Sequence, residues 1–353
     1  MNILQRIVEL AGSGQPFCTG VVLGAEGSTP REAGVRAILH PNGRIEGTLG
    51  GGAVEAATQR QAIEACRSQR ASILDVELRG EAAGDDMPIC GGRMRILVDP
   101  TAAKDRAAYG QAATALQERR RGILLTTTRT GAGTYTAVCW VPESDSSALP
   151  EAQVARECLA DGKARLVSGS TSEPAETVEV LVEPMVPEPL LLIAGGGHVG
   201  QALARQALLL GFEVMVFDDR PEFTDPDLFP QGVRTHCGDI ATSVAAVPVG
   251  EDTYIVIVTR GHQHDAETLK ACLHRPAAYI GMMGSRRKVA LVRESLIEAG
   301  SATEEEWDAV HAPIGLDIGA ETVPEIATSI AAQLVAVRRK GRADREPRDM
   351  RSR

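Results

Sequence analysis

With 353 residues, 24% of them charged and 43% from the AVILMFWYC set, the chain has the balance of a globular protein of two domains. That balance excludes collagen, coiled coil and wholesale disorder. Aromatic residues make up only 3% and the net charge is −10, which argues against a stacking platform for single strands and against a general nucleic-acid binder. The last sixteen residues hold eight Arg or Lys against three Asp or Glu, so the remainder is more acidic still.

Seven cysteines (18, 66, 90, 139, 158, 237 and 272) are an odd number, widely spread and without a CxxC pair. This speaks against a disulfide framework and against a structural zinc site. The amino terminus lacks the apolar core of a signal peptide, and no later stretch approaches a membrane span. Cytoplasm is the expected location.

In chain order, residues 3–11 read as a short amphipathic helix and Phe17–Leu23 as an apolar strand. A breaker-rich loop, Gly24–Gly34, follows. Val35–Leu39 and Arg44–Leu49 flank Pro41-Asn42-Gly43, where Asn-Gly signals a hairpin. Gly50-Gly51-Gly52 opens an alanine-rich helix to about residue 68. Strands at Ile73–Leu78 and Met94–Val98 enclose a glycine- and acid-rich loop containing Cys90. A helix near 104–120 and strands near 122–128, 134–141 (an edge) and 178–182 complete the first half. Pro184, Pro187 and Pro189 then suit an extended linker, because each fixes φ and removes a donor.

Past the prolines the rhythm becomes strand, helix, strand. Leu190–Ala194, Glu213–Phe217, Val233–Cys237, Tyr254–Val258 and Ala278–Gly281 read as strands. Helical spacing links Val199, Leu203, Ala207 and Leu210, then Val289, Val292, Leu296 and Ala299, then Ile326, Ile330, Leu334 and Val337. Thr322-Val-Pro-Glu325 is a capping box with proline in the first turn of the last helix. The expected class is α/β: an N-terminal mixed α/β domain over 1–187 and a Rossmann-like doubly wound parallel sheet over 188–338. A disordered tail is expected over 339–353.

Gly195-Gly196-Gly197-His198-Val199-Gly200 sits between a strand and a helix, with Gly195, Gly197 and Gly200 fitting G-x-G-x-x-G. Backbone N–H groups and the helix dipole there suit a diphosphate. Asp218 ends the next strand, where a carboxylate accepts hydrogen bonds from a ribose diol. The alternative is a tight turn with no ligand.

Thr259-Arg-Gly-His-Gln-His-Asp265 leaves another strand at the edge where open α/β sheets bind ligands. His262, His264 and Asp265 are candidates for a metal or a polar ligand, against a reading as exposed loop histidines. Gly284 and Ser285, followed by Arg286, Arg287 and Lys288, suit an anion at a helix start, against a solvated first turn.

In the first half, Gly50, Gly51 and Gly52 before Glu55 can turn N–H groups toward an anion, or merely allow close packing. Cys90, flanked by Gly91 and near Arg93 and Arg95, is either an accessible thiolate or a small buried hydrophobe.

Together these stretches resemble the xanthine dehydrogenase accessory protein family of the XdhC/CoxI type. The matching segments are Gly27-Ser-Thr-Pro-Arg31, Gly47–Glu55, Cys90-Gly-Gly92, Gly195–Gly200, Phe217–Phe223, Thr259–Asp265, Tyr279–Lys288 and Pro313–Thr322. The resemblance implies a chaperone that binds molybdenum cofactor, in a mononucleotide or dinucleotide form. Such a protein assists sulfuration with a cysteine desulfurase, inserts the cofactor into a molybdenum hydroxylase apoenzyme such as xanthine dehydrogenase, and often self-associates, so a dimer is expected. It points to a cofactor-binding maturation factor rather than an enzyme, and charge and hydropathy add the expectation of neither nucleic acid nor membrane as a partner.

Many members carry cysteine where this sequence has Ala53, which leaves Cys90 as the motif cysteine and as the candidate contact to the molybdenum or sulfur end. The anionic part would fall to the glycine turns at Gly50, Gly51 and Gly52, at Gly195, Gly197 and Gly200, and at Gly284, with Arg286, Arg287 and Lys288; His198, Asp218, His262, His264 and Ser285 complete the candidate cofactor-binding set. Two other readings predict different partners: an NAD(P)-dependent oxidoreductase, or a docking scaffold with an empty nucleotide site.

Overall fold

The computed structural model describes residues 2–78, 92–169 and 176–340. The chain divides into two compact units, Met1–Pro187 and Glu188–Arg353.

In the first unit, α1 (Ile3–Ser13) starts where the Asn2 side chain accepts the Leu4 N–H at 3.0 Å, and it buries Leu4, Ile7 and Leu10. One antiparallel sheet takes β1 (Cys18–Gly27), β2 (Arg36–Leu39), β3 (Ile45–Glu46), β4 (Ser72–Leu78) and β5 (Gly92–Asp99) in the order β3-β2-β1-β5-β4. A second takes β6 (Gly122–Thr130), β7 (Thr134–Pro142), β8 (Arg165–Ser168) and β9 (Thr177–Met185) in the order β7-β6-β9-β8. The helices are α2 (Gly52–Ser68), α3 (Arg106–Gln117) and α4 (Ala152–Asp161).

Two expectations change here. β1 runs on through Gly24 to Gly27, because β5 pairs with it past a register shift between Val22 and Gly24; the glycine marks a bulge rather than the strand's end. Pro184 belongs to β9 and not to a linker. It tolerates strand geometry because β8 stops pairing opposite Val182, so that side of Pro184 has no ladder to lose. α4 and β8 are elements that the sequence pattern does not announce.

The second unit holds five parallel strands, β10 (Leu190–Ala194), β11 (Glu213–Asp218), β12 (Val233–Cys237), β13 (Thr253–Ile257) and β14 (Tyr279–Met282). Their order is β12-β11-β10-β13-β14, so the winding reverses between β10 and β13. Around them lie α5 (His198–Leu209), α6 (Ile240–Ala246), α7 (His262–Cys272), α8 (Arg286–Glu298), α9 (Glu304–Asp308) and α10 (Val323–Lys340).

Period-two burial explains the double winding. Leu190, Leu192 and Ala194 pack with Leu269, Val292 and Leu296 on one face. Leu191 and Ile193 pack with Leu203, Ala207, Ile330 and Leu334 on the other. Strands apolar on both faces must be covered by helices twice. α10 is set by the Glu325 carboxylate, which accepts the N–H groups of Glu321 and Thr322 at 2.9 Å each. It reaches Lys340, so Arg339 and Lys340 are helical rather than part of a disordered tail; residues 341–353 lie outside the described residues. No helix among the described residues is long and apolar enough to cross a membrane.

Candidate functional site

At the reversal between β10 and β13, the loops leaving β10, β13 and β14 share the carboxyl edge of the sheet, where such folds place ligands. The first is the glycine loop. Gly195 has φ +118°, and a Cβ there would lie 2.6 Å from the Val258 carbonyl oxygen. A Cβ on Gly200 would lie 2.0 Å from the Gly195 carbonyl oxygen, so α5 meets its own loop too closely for any side chain. Around Gly197, at the α5 N-terminus, nothing lies within 4 Å of an added Cβ.

The two positions therefore separate packing from access. Gly200→Ala is expected to lower stability by about 1–3 kcal/mol through overpacking, and Gly197→Ala by less than about 1 kcal/mol, the difference between two N-cap residues. Chemical denaturation of both variants checks the contrast, and equal losses would contradict it.

Asp218 closes β11 and is almost wholly buried. Its carboxylate accepts the Gly196 N–H at 2.8 Å, the Arg220 N–H at 3.1 Å, and Arg220 Nε and Nη2 at 2.8 and 3.0 Å. Burial pushes its pKa up, but the Arg220 guanidinium and the two amides outweigh burial and hold it below the usual carboxylate range. Arg220 in turn lies over the Phe223 ring, 3.7 Å from its centroid. The carboxylate expected to meet a ribose is thus engaged by the chain itself. Arg220 and Phe223 stand in the sequence only as members of the segment Phe217–Phe223; the signal available for this pairing is an arginine two residues after a strand-ending aspartate.

The other two loops meet directly. Asp265, in the first turn of α7, has no exposed surface. It accepts the Thr259 hydroxyl at 2.5 Å and is ion-paired with Lys288, whose side chain is 24% exposed. Burial holds the Asp265 carboxyl above its ordinary range, with Lys288 and Thr259 opposing. Ser285 caps α8 by accepting the Lys288 N–H at 3.3 Å, and Arg286 and Arg287 are exposed beside it. His198 is exposed and His264 half-buried. The backbone at His262, His264 and Asp265 is helical, not extended as convergence of these adjacent alternating positions on one ion would require. No group of three metal-ligating side chains occurs among the described residues.

In the first unit, Gly50, Gly51 and Gly52 all have positive φ, but their surroundings are already polar. Glu55 accepts Thr48 Oγ1 at 2.7 Å, the Gly51 N–H at 3.0 Å and the Leu49 N–H at 3.2 Å, and the Gly50 N–H goes to Thr48 Oγ1 at 3.2 Å. The Thr48 hydroxyl, with those amides, holds the Glu55 carboxyl low against burial. An anion therefore does occupy this turn, and it is the chain's own. Cys90 lies outside the described residues. Cys18 and Cys66 place their sulfurs 2.9 Å apart, and burial, above all, pushes the Cys18 thiol up.

A Rossmann unit with three polar loops at its switch point, joined to a mixed α/β unit, defines the class. The model described as "XdhC Rossmann domain" matches residues 191–334, and that of the "XdhC and CoxI family" matches 10–77. The chain belongs to the XdhC and CoxI family.

It is 26% identical to the uncharacterized protein YqeB of Escherichia coli over 96% of this chain and 46% of that one. It is 27% identical to a probable xanthine dehydrogenase subunit of Bacillus subtilis over 47% of this chain and 48% of that one. It is 25% identical to the molybdenum cofactor insertion chaperone PaoD of Escherichia coli over 96% and 88%. The chain thus spans about half the length of the first two relatives. A crystal structure of a xanthine dehydrogenase from Bacillus halodurans shares the fold, with TM-score 0.72 and 21% identity over 98% of both chains.

Proposed function

We propose that this protein is an accessory chaperone that binds molybdenum cofactor, assists its sulfuration by a cysteine desulfurase and inserts it into a molybdenum hydroxylase. The observation that carries the reading is the match to the molybdenum cofactor insertion chaperone across both units of the chain. The residues of the second unit fit the phosphorylated end of such a cargo. Open space around Gly197 lets a phosphate reach the α5 amides, and Lys288, its side chain partly exposed and its ammonium paired with Asp265, stands next to exposed Arg286 and Arg287. Gly195 and Gly200 shape that turn, while Gly284 and Ser285 set the direction of Lys288. Cys90 is the proposed soft donor toward the metal or sulfur end.

A docking-scaffold reading is favoured by one observation: the turns at Gly51 and Gly196 are already filled by Glu55 and Asp218. One experiment separates the two. The protein is purified from a molybdenum-competent host, its pterin is measured by fluorescence after oxidation, and its molybdenum by metal analysis. The chaperone reading expects both to co-purify, to fall in Cys90→Ala, and to activate an apo-hydroxylase on transfer. Protein that binds desulfurase and apo-hydroxylase yet carries neither pterin nor molybdenum would replace it with the scaffold.

A further inference from the structure

We propose that the Rossmann unit is closed against adenine dinucleotides by its own chain. Asp218, Arg220 and Phe223 fill the place beside the glycine loop that an adenosine ribose would take. The inference goes beyond the delivery role and does not depend on it.

In a doubly wound nucleotide fold the ribose diol needs free acceptor positions on the carboxylate that ends the second strand. An ionised carboxylate offers about four such positions. In Asp218 they are taken: Oδ1 accepts the Arg220 N–H and Nε–H, and Oδ2 accepts the Gly196 N–H and the Arg220 Nη2–H. The aspartate side chain is only 2% exposed, so no hydroxyl reaches it from the side.

The occupying segment is also braced. Phe223 N–H donates to the Arg220 carbonyl at 3.1 Å, and both the N–H and the hydroxyl of Thr224 donate to the Pro221 carbonyl at 3.1 Å. The Phe223 carbonyl oxygen would lie 2.1 Å from a Cβ on Gly196, so this turn rests on the glycine loop. The Arg220 guanidinium is held between the carboxylate and the Phe223 ring. Admitting a ribose means withdrawing Arg220, which strands a buried carboxylate without its cation. The loop is left to ligands that bring phosphate to α5 from the side of β13 and β14, where Lys288 lies.

An arginine at this place can instead meet a ribose 2′-phosphate, so the probes are ADP-ribose, NAD+ and NADP+, each titrated calorimetrically into the full chain and into Arg220→Ser/Phe223→Ala. The expected result is no saturation of the wild type by any probe at about 1 mM, and binding of ADP-ribose to the variant at least about tenfold tighter. Saturation of the wild type below about 0.1 mM by any of the three overturns the proposal. So does a variant, folded by circular dichroism and thermal melting, that binds ADP-ribose no better than the wild type. The wild-type titrations decide the matter by themselves if the variant does not fold. Cofactor retention by the purified protein is a separate readout, so failure of the chaperone reading leaves this result standing.

Discussion

Glu183→Ala is expected to destabilise the first unit by about 3–5 kcal/mol, the loss found when one partner of a buried ion pair is removed. Arg36 on β2 and Glu183 on β9 join the unit's two sheets, with side chains 4% and 2% exposed. Arg36 Nη2 reaches both carboxylate oxygens at 2.7 and 2.9 Å, and Nη1 reaches the Tyr109 hydroxyl at 3.0 Å. Thr126 donates to Glu183 at 3.0 Å. Alanine at 183 leaves a guanidinium in the interior whose remaining direct side-chain partners are the Tyr109 and Thr126 hydroxyls, with the Asp99 carboxylate acting on it without a direct ion pair. Burial penalises its charge, and the guanidinium cannot shed its proton in compensation. The double change Arg36→Met/Glu183→Leu removes both charges and should recover most of the loss. Urea unfolding of the three proteins measures this. A single variant within about 1 kcal/mol of the wild type would mean that water or a rearranged side chain replaces Glu183.

Lys288→Met is expected to act on both stability and ligand binding, and the two effects can be separated. It removes the cation facing a carboxylate that has no exposed surface. A loss of about 1–3 kcal/mol follows from the unsatisfied acceptor. Asp265 already sits above its ordinary range because of burial, and without Lys288 it rises further. The folded state then holds a proton that the unfolded chain releases. Stability of the variant is therefore fullest below the unfolded carboxylate range and is lost as pH rises through the folded value. Asp265→Asn/Lys288→Met should abolish that slope and restore most of the stability. It should not restore pterin and molybdenum content, expected to fall about tenfold or more with the loss of the proposed charge-assisted contact to phosphate. Full recovery of cofactor by the double variant would make Lys288 a structural residue only.

The elements of the Rossmann unit were legible because their causes are local. A short apolar run such as Leu190–Ala194, glycines between strand and helix, and apolar residues at helical spacing in Ile326, Ile330 and Leu334 each announce themselves within a few residues. The first unit was harder to read. α4 and the four-residue β8 carry weak patterns, and the fate of Pro184 depended on where a neighbouring strand stopped.

Residue order alone was enough for the α/β class, the glycine turn before α5 and the family to which the chain belongs. Those follow from spacing and from backbone conformations that few residues allow. The long-range pairings came instead from the packing of distant elements. Asp218 holds Gly196 across 22 positions, Asp265 meets Lys288 from another loop, and Arg36 finds Glu183 across 147 positions, whereas Glu55 at Gly51 and Arg220 at Asp218 are local pairings. A charged side chain has many candidate partners along a chain. Burial and the approach of remote strands and helices select one, and nothing in the residues flanking it records the choice.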